Sequence, residues 1–155
     1  MYVHVKTFGC STNLADSEAI AGSLKQAGFT LTRSAATANV IIYNTCAVKG
    51  PTENRVINAI KRTAQNKKII VTGCLPLINF ERLRHETRFN AAVGPAVATQ
   101  IADITKRVMN GENVIAIENA LTAKPPLNLP RIQANPAISI IPINYGCLGK
   151  CAYCC

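Results

Sequence analysis

Three apolar stretches of this chain each end within a few residues of a cysteine, and that pattern restricts the folds open to it. Met1–Thr7 alternates Val3 and Val5 with polar neighbours, the period of a half-buried strand, and leads into Phe8-Gly9-Cys10. Asn39–Asn44 carries Val40, Ile41, Ile42 and Tyr43 without a break, as a strand covered on both faces does, and runs into Thr45-Cys46. Lys68–Val71 runs into Thr72-Gly73-Cys74. Strands separated by helical patterns argue for a parallel sheet, because parallel neighbours need a crossover between them.

The intervening segments read as those crossovers. Asn13 is the expected N-cap of a first helix, with Asp16 and Glu18 expected in its favourable first turn and Gly28 as its stop. Phe29–Thr32 is a short strand. Thr52 is the expected cap of a second helix with an apolar stripe of Val56, Ile57, Ile60 and Ala64. Pro76 is expected to break the chain before a basic helical segment, Asn79–Arg88. Ala91–Val93 reads as a strand, and Pro95 opens a helix with Val97, Ile101, Ile104 and Val108 at helical spacing. Val114–Ile117 closes the alternation.

The fold class is therefore α/β, a parallel sheet covered by helices. In the flavodoxin-like order 2-1-3-4-5, Cys10, Cys46 and Cys74 follow strands that lie side by side. All such turns leave a parallel sheet at its carboxyl edge, where ligand sites of open α/β folds gather. At about 4.8 Å between strands, three neighbouring ends span roughly 10 Å. Thiols converging there can hold a metal cluster; the competing reading is three small core residues.

Residues 1–119 form the α/β domain in this reading. Residues 120–136 contain Pro125, Pro126, Pro130 and Pro136 and read as a linker. Ile138–Ile143 is a fresh buried strand opening a second unit, residues 137–155, which ends in Cys147-Leu-Gly-Lys-Cys151-Ala-Tyr-Cys154-Cys155. The C-x3-C-x2-C spacing of Cys147, Cys151 and Cys154 lets one short loop present three thiolates, the ligands expected of iron–sulfur clusters. A zinc site is the alternative for the same residues, with Cys155 as fourth ligand.

Of the 155 residues, 17 are Lys or Arg and 8 are Asp or Glu, a net charge of +9. Such an excess favours a polyanion, with nucleic acid first. No apolar run approaches the ~18 residues of a membrane span, and no leader pattern precedes the first strand, so no membrane partner and a cytoplasmic location are expected. Seven cysteines, an odd number including an adjacent pair, suit metal ligation better than a disulfide framework. His4 and His85 read as structural or solvated residues.

Taken in order, Thr7-Phe8-Gly9-Cys10-Ser11-Thr12-Asn13 with Asp16-Ser17-Glu18, Asn44-Thr45-Cys46-Ala47-Val48, Thr72-Gly73-Cys74 and Gly146–Cys154 resemble the radical S-adenosylmethionine (SAM) methylthiotransferases. Tyr145-Gly146-Cys147-Leu148-Gly149 is most similar to their archaeal and eukaryotic branch. The resemblance implies an auxiliary [4Fe–4S] cluster on Cys10, Cys46 and Cys74, and a radical SAM [4Fe–4S] cluster on Cys147, Cys151 and Cys154, with Tyr153 a SAM contact. It also implies a substrate, N6-threonylcarbamoyladenosine at position 37 of tRNA, converted to its 2-methylthio derivative through a SAM-derived radical. Other branches act on isopentenyladenosine in tRNA or on a ribosomal protein. Thr45 and Thr72 become candidate donors toward the auxiliary sulfurs, or turn formers. The resemblance further implies that the chain is the amino-terminal domain plus the first strand and cluster loop of a truncated barrel, inactive alone. No electron donor is legible. A non-catalytic, zinc-binding RNA module is the reading from another class.

Overall fold

A computed structural model describes residues 1–47, 50–117, 128–143 and 152. Among these residues six strands form one sheet: β1 Tyr2–Thr7, β2 Thr30–Leu31, β3 Val40–Thr45, β4 Lys68–Gly73, β5 Ala91–Val93 and β6 Val114–Ala116. Their order is β2-β1-β3-β4-β5-β6 and every pairing is parallel. This is the flavodoxin-like order expected, with β6 added at the edge.

Among the described residues five α-helices accompany the sheet: α1 Ser11–Gln26, α2 Gly50–Lys61, α3 Cys74–Ile78, α4 Phe80–Glu86 and α5 Ile101–Met109. They divide between its two faces. Val40 and Ile42 point to the side holding Ala19, Ile20 and Leu24 of α1 and Ile101, Ile104 and Val108 of α5. Ile41 and Tyr43 point to the other, with Val56, Ile57 and Ile60 of α2 and Leu83 of α4. Successive strand residues face opposite ways, so a strand packed on both sides must be apolar throughout. That is why β3 carries an unbroken hydrophobic run and is buried at every position.

Local chemistry departs from expectation at four places. Helix α1 starts two residues before Asn13, with Cys10 as N-cap; Asn13 Oδ1 instead reaches back to the Cys10 N–H at 3.2 Å. A side chain three residues into a helix satisfies the cap from inside. Helix α2 begins at Gly50, so Thr52 lies within its first turn rather than capping it. Pro76 does not break the chain but sits in the first turn of α3, where a missing N–H leaves no hydrogen bond unmade. The helix expected from Pro95 is split: Ala96 takes a left-handed conformation (φ 61°), a 3-10 turn covers Val97–Thr99, and α5 starts at Ile101.

Ile138–Ile143 is not a strand. Ile138, Ile141 and Ile143 are exposed. A strand exists through hydrogen bonds to a neighbour, and none of the six strands lies beside this segment; Pro142 removes one donor besides.

Part of the stretch read as a linker packs along α1. The Ile132 N–H donates to the Glu18 carbonyl at 3.0 Å, and the Ala134 N–H to Glu18 Oε1 at 3.1 Å. Leu129 packs against the α1–α5 core. Gly22 makes the approach possible, since a Cβ there would collide with the Pro130 carbonyl. Gly22→Ala should therefore leave the sheet folded but lift residues 129–134 away, read as faster tryptic cleavage after Arg131 with unchanged circular dichroism. Unaltered cleavage would contradict this packing.

Candidate functional site: three thiols on one sheet edge

Register brings the expected cysteines together. Thr7 pairs with Asn44, Asn44 with Thr72, and Thr45 with Gly73. Cys46 and Cys74 are thus equivalent next residues on neighbouring strands, and Cys10 enters from β1 on the other side of β3. Neighbouring strands are about 4.8 Å apart, so Cys46 and Cys74 leave the sheet side by side.

Two glycines set the turns that aim them. Gly9 (φ 149°) lies so close to the next turn that a Cβ would stand 2.8 Å from the Cys46 Cβ. Gly73 (φ 94°) lies against the backbone of Thr45, where a Cβ would come within 2.7 Å of its nitrogen. Positive φ and close backbone approach both exclude a side chain at such points.

Beneath the thiols runs a buried polar belt. Asn44 Nδ2 donates to the Asn13 carbonyl at 2.8 Å and to Ser17 Oγ at 2.9 Å, and Thr7 Oγ1 donates to Ser17 at 2.7 Å. Thr45 Oγ1 donates to the Thr72 carbonyl at 2.6 Å, and Thr72 Oγ1 to the Gly94 carbonyl at 2.7 Å. Each hydroxyl has one proton, so neither threonine is left to donate toward a sulfur. Their role is to tie adjacent turns together. No buried side-chain polar atom among the described residues lacks a partner.

The thiols differ in environment. Cys10 is exposed, Cys46 buried and Cys74 half-buried, and all three are free thiols. Burial pushes the Cys10 thiol up, but hydrogen bonds at Asn13 and Thr12, at the start of α1, outweigh it and hold Cys10 below the usual thiol range. Burial pushes the Cys74 thiol up, and the negative charges of Cys46, Cys10 and Asp16 push it further. Three thiolates gathered in this way repel one another unless a cation lies among them.

Among the described residues, no three His, Cys, Asp or Glu side chains close around a single ion. A cubane makes a different demand, because each thiolate binds a separate iron and the sulfurs stand further apart. The donor set of three soft thiolates, with no imidazole beside them, suits iron–sulfur chemistry. Cys147, Cys151, Cys154, Cys155 and Tyr153 lie outside the described residues.

Beside Cys10 and Cys46 opens a cavity of about 590 Å³, which Phe8, Thr52 and Arg55 also line. Nothing in the sequence marks Arg55, because a lone exposed arginine on a helix carries no spacing signal. The asparagine belt was partly visible, since Asn44 interrupts an otherwise apolar strand. His4 is structural: its Nδ1 lies 2.9 Å from the Thr32 carbonyl. No helix among the described residues is long and apolar enough to cross a membrane.

With this edge in view, comparison with known proteins is decisive about family. A family model described as "Uncharacterized protein family UPF0004" matches residues 2–94, more than half of the chain, including Cys10, Cys46 and Cys74. The chain belongs to this family. Among its relatives is a protein of Methanothermobacter thermautotrophicus named "Probable threonylcarbamoyladenosine tRNA methylthiotransferase", 39% identical over 156 residues, covering 99% of this chain and 36% of the relative. Proteins named "Threonylcarbamoyladenosine tRNA methylthiotransferase" from Danio rerio and Homo sapiens are 34% and 32% identical over 158 residues, covering 98% of this chain. The chain spans 28% and 27% of those two relatives.

Asp16 supplies a test of the site's electrostatics. Burial raises its carboxyl from 3.8 to about 6, against an opposing pull from Arg131. A raised folded-state value means the neutral acid is favoured in the fold, so its contribution is complete below pH 3.8 and is lost as pH rises through about 6. With a discount for residual exposure, the change is on the order of 2 kcal/mol. In cluster-free protein, Asp16→Asn should abolish that part of the slope and be more stable than the parent at pH 7. Parallel curves of denaturation free energy against pH, from 3.5 to about 7, would contradict the assignment.

Proposed function

We propose that this chain is the cluster-holding amino-terminal portion of a tRNA methylthiotransferase that converts N6-threonylcarbamoyladenosine at position 37 to its 2-methylthio form. The observation that carries the proposal is the alignment of Cys10, Cys46 and Cys74 at the ends of β1, β3 and β4. Relatives named for this activity align over nearly the whole chain and lend the substrate class.

In this reading Cys10, Cys46 and Cys74 hold an auxiliary [4Fe–4S] cluster. Cys147, Cys151 and Cys154 hold the cluster that engages SAM, with Tyr153 beside it. When bound, these groups supply the radical chemistry and the sulfur needed at an unactivated adenine carbon, for which no side chain is a sufficient base or oxidant. The chain's own residues do the positioning. Gly9 and Gly73 let the thiol-bearing turns approach, the Asn13–Asn44–Ser17 belt fixes their separation, and buried Cys46 keeps one ligand from water. The open side, toward Phe8 and Arg55, leaves room for a substrate.

Anaerobic reconstitution with iron and sulfide should give brown protein, and Cys10→Ala, Cys46→Ala or Cys74→Ala should each lose about four irons per chain. Cys155→Ala should lose none. Colourless protein containing zinc, or iron content indifferent to the three substitutions, would overturn the assignment. These 155 residues alone, given SAM and reductant, are expected to yield no methylthiolated tRNA; its appearance would overturn that part.

A further inference from the structure

A second cavity, of about 580 Å³, lies on the α2 side of the sheet between β1, β3 and α2. Lys6, Arg55, Arg62 and Lys67 line it, together with Phe8 and Tyr43. Phe8 and Arg55 also line the cavity beside Cys10 and Cys46, so the two spaces share a wall.

The groove carries cations and no acid. Lys61, Arg82, Arg84 and Arg107 each meet a carboxylate at 2.7–2.9 Å. Among the described residues, Lys6, Arg55 and Arg62 make no salt bridge, and no acidic residue lines the groove. Lys67 is committed to the sheet edge, its Nζ donating to the Ala36 and Ala38 carbonyls at 2.6 Å. Three exposed cations are left facing an acid-free channel. Arg55 lies on α2 and Arg62 directly follows it, its N–H still bonded to the Asn58 carbonyl, about 10 Å further along the helix direction. Lys6 stands across from them on β1, its Nζ 5.3 Å from the centre of the Phe8 ring.

We infer that this groove binds the sugar–phosphate backbone of a single-stranded RNA segment and leads it toward the thiol edge. The inference deepens the proposed function by naming the surface that takes its substrate, and it rests on that reading for the choice of RNA. Unpaired cations without nearby carboxylates bind phosphates by releasing counterions. Aromatic rings beside such cations are the usual company of unpaired strands. Here Phe8 is the half-buried ring at the junction with the thiol cavity, braced by Tyr43 at 6.1 Å between ring centres.

The test is titration of the 155-residue chain with a fluorescein-labelled anticodon-type RNA hairpin over a range of salt. Arg55→Gln/Arg62→Gln should weaken binding by about tenfold at low salt and reduce the salt slope by about 1.4. Lys25→Gln/Lys106→Gln removes the same charge from α1 and α5 on the opposite face and should change affinity less than about twofold. A blunt duplex of equal length should bind more weakly than the hairpin. Equal losses from both double variants, no effect of the groove variant, or equal affinity for duplex would overturn the inference. The groove variant should keep its iron and sulfide, and Cys10→Ala should keep its RNA affinity. Failure of the groove is thereby told apart from failure of the cluster assignment.

Discussion

Parallel pairing of β1, β3 and β4 is the constraint on which everything else in this chain depends. A parallel ladder places every strand's carboxyl end on one edge, and here the register is continuous from Val3↔Val40 to Thr45↔Gly73. Three thiols remote in sequence become neighbours by this alone. The pairing is in turn held by burial on both sheet faces: Val40 and Ile42 pack under α1 and α5, Ile41 and Tyr43 under α2 and α4. A one-residue slip of β3 would exchange those two sets and also move Cys46 out of line with Cys74.

Polar groups take over where the apolar core ends. Asn13, Ser17, Asn44, Thr45 and Thr72 are nearly inaccessible to water yet all bonded. Such a belt is costly unless every member is satisfied, and once satisfied it defines a single arrangement of the turns above it. The thiols therefore stand on a rigid floor, while Arg55 and Phe8 border the open side. Acids on α2 and α4 pair with Lys61, Arg82 and Arg84, whereas among the described residues Arg55, which lines the thiol cavity, makes no salt bridge.

Much of this was legible in the residues themselves. Unbroken apolar runs at Val40–Tyr43 and Ile69–Val71 mark central strands because both faces must be covered, and the cysteines after them then share an edge. Less was legible where one residue type serves two structural purposes. Asn13 looks like a cap but acts three positions inside the helix; Pro76 looks like a break but fits a first turn; Thr45 and Thr72 look available but spend their protons on carbonyls. Ile138–Ile143 has the composition of a buried strand, and composition cannot supply a neighbour to pair with. Gly22 and Glu18, which hold residues 129–134 against α1, carry no pattern at all, since close approach across more than a hundred residues leaves no periodic trace.

The central claim, that one edge gathers three thiolates around a cluster, is tested most directly by iron anomalous diffraction from crystals of the anaerobically reconstituted chain. The account predicts iron density bonded to the Sγ atoms of residues 10, 46 and 74 at the carboxyl ends of β1, β3 and β4. Iron lying elsewhere, or those three sulfurs turned away from one another into separate parts of the core, would contradict it.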